Sequence, residues 1–189
     1  IRERSPELKI LLTFFSPSGY EVRKNYQGAD YVCYLPADTP RNARKFVSIV
    51  DPVLVIFVKY EFWNNFIDAV HAGTRPFFLI SAIFRPGQHF FRWYGGFFRG
   101  MLRKLSKIFV QDAQSLGLLN GVGISGAVIA ADTRFDRVVQ IAGSARQIEK
   151  IEKFASGEKI FLAGSSWRPD EEIISEYIRK HPGKIKWIF

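Results

Sequence analysis

Eight short runs of largely apolar residues, five to seven long, recur along the chain with helix-length segments between them. They are Lys9–Phe15, Asp30–Leu35, Val53–Val58, Pro76–Ser81, Lys107–Gln111, Ala127–Ala131, Lys159–Ala163 and Lys184–Phe189. Most are continuous rather than alternating. A strand with one wet face alternates, whereas a parallel strand covered by helices on both faces does not. The intervals carry helix signals. Thr39-Pro40 is an N-cap followed by a first-turn proline for a helix to Val50. Phe62–Ala72 stops at Gly73, Asp112 caps a helix to about Asn120, and Pro169 opens one that Pro182 ends. His89–Leu105 and Ser144–Ala155 also read as helical. Repeated strand–helix–strand units with short connections predict an α/β fold, a Rossmann-like doubly wound and mostly parallel sheet.

The charged stretch Arg146–Glu158 has no strong apolar stripe and precedes a fresh strand. It divides the chain into a domain over 1–145, a linker over 146–158 and the start of a second Rossmann-like domain over 159–189. Both ends read as cut: Ile1–Ser5 resembles the tail of a helix, and Lys184–Phe189 a strand with nothing after it. No signal peptide opens the chain, and no run reaches the roughly 18 apolar residues of a membrane helix.

The residues are 47% hydrophobic, which excludes a disordered chain, and the net charge of +9 favours anionic partners. A lone cysteine, Cys33, excludes an internal disulfide and reads as a strand thiol. His71, His89 and His181 show no metal-ligand spacing, so no metal is expected. Neither GxGxxG, a P-loop nor GxSxG is present.

From Ala69 to Gln111 there is no acidic residue, while Arg75, Arg85, Arg92, Arg99, Arg103, Lys104 and Lys107 fall within it. On one continuous helix Phe90, Tyr94, Phe97, Phe98, Met101 and Leu105 form a stripe, with Arg92, Arg99 and Arg103 opposite. That layout suits an interfacial helix among lipid phosphates, with Arg92, Trp93, Phe97, Arg99 and Arg103 as lipid contacts. It equally suits a surface helix with its stripe on the sheet, or a nucleic-acid face.

Ligands of doubly wound sheets bind beyond the carboxyl ends of strands. Lys59-Tyr60-Glu61 leaves the third strand there; a cation and a carboxylate so placed orient hydroxyls or balance developing charge, or simply start a helix. Asp132-Thr133-Arg134 follows the sixth strand, where Arg134 could grip an anion or pair locally with aspartate. Ser16-Pro17-Ser18-Gly19 leads into a helix and offers backbone amides, as any strand–helix turn does. Gly164-Ser165-Ser166 repeats that loop in the second domain.

Together these stretches resemble the Kdo (3-deoxy-D-manno-octulosonic acid) transferase family. The matching text is Thr13–Glu21, Tyr34–Pro40, Lys59–Asn65, Ser81–Arg85, Asp132–Asp136 and Gly164–Ser166, in order over almost the whole chain. The resemblance implies a GT-B glycosyltransferase of two Rossmann-like domains, this chain holding most of the acceptor-side one, whose first strand and helix are expected to precede Ile1. It implies an inverting transfer of Kdo from CMP-Kdo, a donor substrate with no cofactor, to a lipid A precursor in lipopolysaccharide core biosynthesis. The setting is the anionic cytoplasmic face of the bacterial inner membrane, with no nucleic acid. It makes Glu61, Arg134 and Lys59 the catalytic candidates, and Ser18, Gly19, Arg85, Ser165 and Ser166 the substrate-binding ones. The chain departs from the family at four points. The family's base, a glutamate in a Gly-Glu motif, would precede Ile1, and the CMP-binding motifs would follow Phe189. The family's frequent N-terminal membrane anchor is not expected among these residues, and Ala131 stands where the family usually has glycine before Asp132. These residues alone are therefore expected to be inactive. The alternative is a non-catalytic basic α/β module that binds nucleic acid.

Overall fold

A computed structural model describes every residue except Ile1, Glu3, Ala145, Arg146 and Lys184, and the side chain of Thr133. The expected helix tail over 1–5 and the first residues of the expected linker and last strand therefore fall partly outside the described residues. The elements, in chain order, are β1 (Leu11–Phe14), α1 (Pro17–Arg23), β2 (Tyr31–Tyr34), α2 (Pro40–Val50), β3 (Val55–Val58), α3 (Asn64–Ala72), β4 (Phe77–Ala82), a 3-10 turn (His89–Phe91), α4 (Gly96–Arg103), β5 (Lys107–Val110), α5 (Ala113–Gly121), β6 (Ala127–Ile129), α6 (Thr133–Gly143), α7 (Glu149–Ala155), β7 (Ile160–Leu162), α8 (Arg168–Lys180) and β8 (Lys186–Ile188). The chain divides into two compact units, 1–134 and 135–189.

Every strand pair is parallel, as the continuous apolar runs require. In the first unit β1 pairs with β2, with Thr13 opposite Cys33, and β3-β4-β5-β6 form a four-stranded sheet. The core lies on that sheet: Phe77, Leu79, Ile108 and Val110 are buried beside Ile67 of α3 and Leu102 of α4. Asp30 fastens the entry of β1, accepting the Ile10 N–H at 2.8 Å and the Arg2 guanidinium at 2.8 Å. These bonds hold its carboxyl well below the usual carboxylate range, Arg2 contributing most.

Helix ends follow the sequence signals. Thr39 accepts the Asn42 N–H at 3.2 Å and Asp112 the Ser115 N–H at 2.6 Å, and the α2 proline occupies the first turn. The expected helix over His89–Leu105 is broken. His89–Phe91 is one 3-10 turn, and α4 starts only at Gly96. Gly95 sets the break, since a Cβ there would lie 2.2 Å from the His89 carbonyl oxygen and 2.8 Å from that of Phe90. The single stripe of a continuous helix is thereby lost. The stretch 146–158, expected as a linker and read as helical over 144–155, carries α7 as the helical reading has it. A further helix, α6, begins at Thr133 within the Asp132–Asp136 motif, where no helix was expected.

In the second unit β7 and β8 pair with Phe161 opposite Trp187, their rings 4.8 Å apart. The Trp167 N–H reaches the Asp170 carboxylate at 3.0 Å and opens α8.

Candidate functional site

The loop after β3, Lys59–Asn65, is a hub that touches four other segments of the first unit. Phe15, at the exit of β1, packs on Trp63 with ring centroids 4.4 Å apart. The Asp38 carboxylate, in the loop before α2, accepts the N–H groups of Asn65 at 3.3 Å and Phe66 at 3.2 Å. It thereby caps α3, whose preceding residue Trp63 supplies no side-chain cap. Phe62 packs between Phe84, beyond β4, and Phe90, at centroid distances of 6.2 and 4.9 Å. Lys59 reaches Asp132, beyond β6, with Nζ 3.9 Å from Oδ2. The stretches 13–21, 34–40, 81–85 and 132–134, far apart in sequence, are thus linked through the one loop 59–65.

Asp132 is the buried centre of the charged part. Its Oδ1 accepts the Arg134 N–H at 2.9 Å, and its Oδ2 takes the guanidinium through Nε at 2.7 Å and Nη2 at 2.5 Å. The Arg134 hydrogen bonds lower the Asp132 pKa, with Lys59 adding a smaller push, and Asp132 in turn raises that of Arg134. Arg134 is nonetheless 71% exposed, so a guanidinium fixed at one edge stays open to an anion. Glu61 is held differently: its carboxylate accepts the Trp63 indole N–H.

The backbone is strained at three strand exits of the four-stranded sheet. Lys59 after β3, Ser81 at the end of β4 and Ala131 after β6 have φ of 62°, 52° and 55°. Non-glycine residues reach this left-handed region at a cost of about 1–2 kcal/mol each, and such residues gather where function constrains the chain. The glycine expected before Asp132 from the resemblance is the residue that a φ of 55° favours.

The remaining candidates are dispersed. Ser18 shares a 2.6 Å hydrogen bond with Ser16 at the start of α1, and a Cβ on Gly19 would lie 2.8 Å from the Phe14 ring, so a larger residue there requires the ring to shift. Arg85 is exposed, and its backbone N–H donates to the Gln88 side chain at 3.0 Å. In the second unit Ser165 has a φ of 59° and Ser166 donates to Glu171 at 2.9 Å.

In the basic segment, Trp93 is 93% exposed and Phe97 63%, whereas Phe90 and Met101 are buried. Arg92 and Arg103 are exposed, but Arg99 turns inward and donates to the carbonyl oxygens of Phe90 at 2.9 Å and Arg92 at 3.0 Å. Lys104 pairs with Asp68 at 2.6 Å and Arg75 with Asp51, so two of the cations have counter-charges that the local sequence hides. Burial pushes the Cys33 thiol up in pKa, away from nucleophile chemistry. Among the described residues no group of three or more His, Cys, Asp and Glu could hold a metal, and no helix is long and apolar enough to cross a membrane.

Sequence reasoning overlooked Asp132 as the organising residue, Asp38 as the cap of α3, and Phe15. Only Asp132 left a signal, an acid two residues before Arg134 at a strand exit.

Comparison with known proteins agrees with the motif order. A family model described as 3-deoxy-D-manno-octulosonic-acid transferase (kdotransferase) matches residues 1–137. The 3-deoxy-D-manno-octulosonic acid transferase of Rickettsia felis is 26% identical over 207 residues, covering 100% of this chain and 44% of the relative. That of Haemophilus influenzae is 31% identical over 83 residues, 43% of this chain and 19% of the relative. That of Aquifex aeolicus is 36% identical over 69 residues, 35% of this chain and 19% of the relative. The chain therefore spans less than half the length of the relatives it matches. With the family model matching most of its length, the chain belongs to the 3-deoxy-D-manno-octulosonic-acid transferase family.

Proposed function

We propose that the parent protein transfers Kdo from CMP-Kdo to a lipid A precursor with inversion, and that residues 1–134 form its acceptor side. The observation that carries this reading is the cluster Lys59–Asp132–Arg134 at the exits of β3 and β6 in a chain of this family. In the transfer, the bond from the anomeric carbon to the CMP phosphate breaks as the bond to the acceptor oxygen forms. The acceptor hydroxyl gives up its proton to a base, and CMP departs as an anion. Negative charge that grows during the reaction needs fixed cations. Asp132 holds the Arg134 guanidinium in one orientation with its exposed edge toward that charge, and Lys59 adds a second cation. Glu61, fixed by Trp63, orients acceptor hydroxyls.

The acceptor implied here is a phosphorylated glycolipid in a bilayer, met at the cytoplasmic face of the inner membrane. Exposed Trp93 and Phe97, with Arg92 and Arg103 near them in sequence and no acid from Ala69 to Gln111, support docking on an anionic surface. Arg99 serves the fold instead.

The test is transfer of labelled Kdo from CMP-Kdo to a lipid A precursor by the parent protein, alongside its binding to RNA at the same salt. Label on the lipid is the expected result. No transfer together with salt-sensitive RNA binding would move the assignment to a nucleic-acid module.

A further inference from the structure

The four-stranded sheet is irregular at the exit of β4. Leu79 pairs with Ile108 and Ala82 with Val110, so β4 takes three steps where β5 takes two. The extra residue is a β-bulge, a device that re-aims groups beside active sites. Ser81, buried and left-handed at a φ of 52°, makes the turn. Its carbonyl oxygen takes a hydrogen bond of 2.8 Å from the Gln111 side chain. A carbonyl only accepts, so the amide nitrogen Nε2 faces it. Gln111 Oε1 finds no partner among the described residues, nor is it buried. Gln111 leaves β5, which lies between β4 and β6. Three strand spacings, roughly 14 Å, separate β3 from β6, yet Lys59 Nζ comes within 3.9 Å of Asp132. The two outer exits, both turned by left-handed residues, therefore lean toward each other over the ends of β4 and β5. Ser81 and Gln111 form the floor beneath that ion pair. The pKa of the adjoining Asp112 is lowered by its Ser115 hydrogen bonds first and by the nearby Arg85 charge last. A cation thus follows each strand beside Gln111, Arg85 after β4 and Arg134 after β6.

We infer that Gln111 is a specificity residue, its Oε1 accepting a hydrogen bond from a non-reacting hydroxyl of the acceptor sugar. The inference rests on the transfer reading above, in which residues 1–134 form the acceptor side. Oε1 can only accept, so its partner must bring a proton. A phosphate or carboxylate brings none at neutral pH and goes to the flanking cations instead; a sugar hydroxyl brings one. The bond from Nε2 to Ser81 holds the amide in place before the ligand arrives, so binding orders little that is not already ordered. A neutral acceptor also suits this position. A carboxylate between Arg85 and Arg134 would pair with them and cancel the charge that the departing anion needs.

The test is Kdo transfer to a lipid A precursor by the parent protein carrying Gln111→Met, which keeps the length of the side chain and loses both polar groups. The acceptor KM should rise roughly two- to tenfold, the loss expected for one neutral hydrogen bond. The donor KM and kcat should hold, the mark of a contact made equally in ground and transition states. Acceptors that each lack one non-reacting sugar hydroxyl close the cycle. One of them should raise the wild-type KM by the same factor and leave that of Gln111→Met unmoved. If every such acceptor acts on both enzymes alike, Gln111 is only a clasp for Ser81 and the inference is overturned. An unchanged acceptor KM in Gln111→Met overturns it as well. So does a wild-type KM that no deoxy acceptor raises, a result that stands whether or not the variant folds. Wild type that transfers no Kdo at all overturns the transfer reading and this inference with it.

Discussion

Arg134 holds Asp132 twice, its backbone N–H on one carboxylate oxygen at 2.9 Å and its guanidinium Nε on the other at 2.7 Å. The acid is buried and the base exposed, so the pair joins a structural anchor to a group that solvent and ligands can reach. Its consequence for pH is signed. The folded Asp132 pKa lies below its unfolded value of about 3.9. The pair's contribution to stability is therefore complete above that value and is lost as pH falls below it. Urea midpoints measured between pH 7 and pH 2.5 should fall more steeply for the wild type than for Asp132→Asn. Parallel profiles would show that the pair does not contribute.

Ala131 takes a left-handed backbone that glycine reaches freely. Ala131→Gly relieves about 1–2 kcal/mol of strain and adds about 0.5–1 kcal/mol of unfolded-state entropy. The strain is the larger effect, so the variant should be more stable by about 0.5–1 kcal/mol, read as a higher urea midpoint. A lower midpoint contradicts the left-handed assignment.

Ser115 is fully buried and accepts the Phe84 N–H at 2.8 Å, tying α5 to the segment after β4. Ser115→Ala leaves that N–H buried without a partner, at a cost of about 1–3 kcal/mol. Equilibrium unfolding of the pair measures it, and a change below about 0.5 kcal/mol would place the loop's stability elsewhere.

The arginines of the basic segment should separate. Arg92→Glu with Arg103→Glu should weaken sedimentation with anionic vesicles, more so at low salt, and leave melting nearly unchanged. Arg99→Ala should lower the melting temperature, because two carbonyl oxygens lose their donor. Vesicle binding by the double variant equal to wild type, at low salt, rejects the lipid-facing role.

The strands among the described residues, from Leu11–Phe14 to Lys186–Ile188, were legible because parallel strands leave short, continuous apolar runs. The caps at Thr39 and Asp112 were legible because N-capping is local. The break at Gly95 was not: it depends on the Phe90 and His89 carbonyls folding back, which a helical wheel cannot show. The motifs marked the loops that meet around Lys59–Asn65, but not how they join. Lys59 and Asp132 are 73 positions apart in the numbering, and their contact follows from β3 and β6 lying in one sheet. Phe15 on Trp63 and Asp38 on Asn65 are equally non-local. The left-handed backbone at Lys59 and Ser81 leaves no residue signature, whereas at Ala131 the family's usual glycine already pointed to it.

The central claim, that Arg134 faces the reacting charge in a Kdo transfer, is tested most directly by turnover of Arg134→Ala in the full-length enzyme. Arg134→Lys serves as the variant that keeps the charge and loses the bidentate fork. With melting and circular dichroism confirming a folded protein, Arg134→Ala should transfer Kdo about a hundredfold more slowly than wild type, and Arg134→Lys should lie between. Wild-type turnover in a folded Arg134→Ala enzyme would contradict the account and leave Arg134 as no more than the clasp of Asp132.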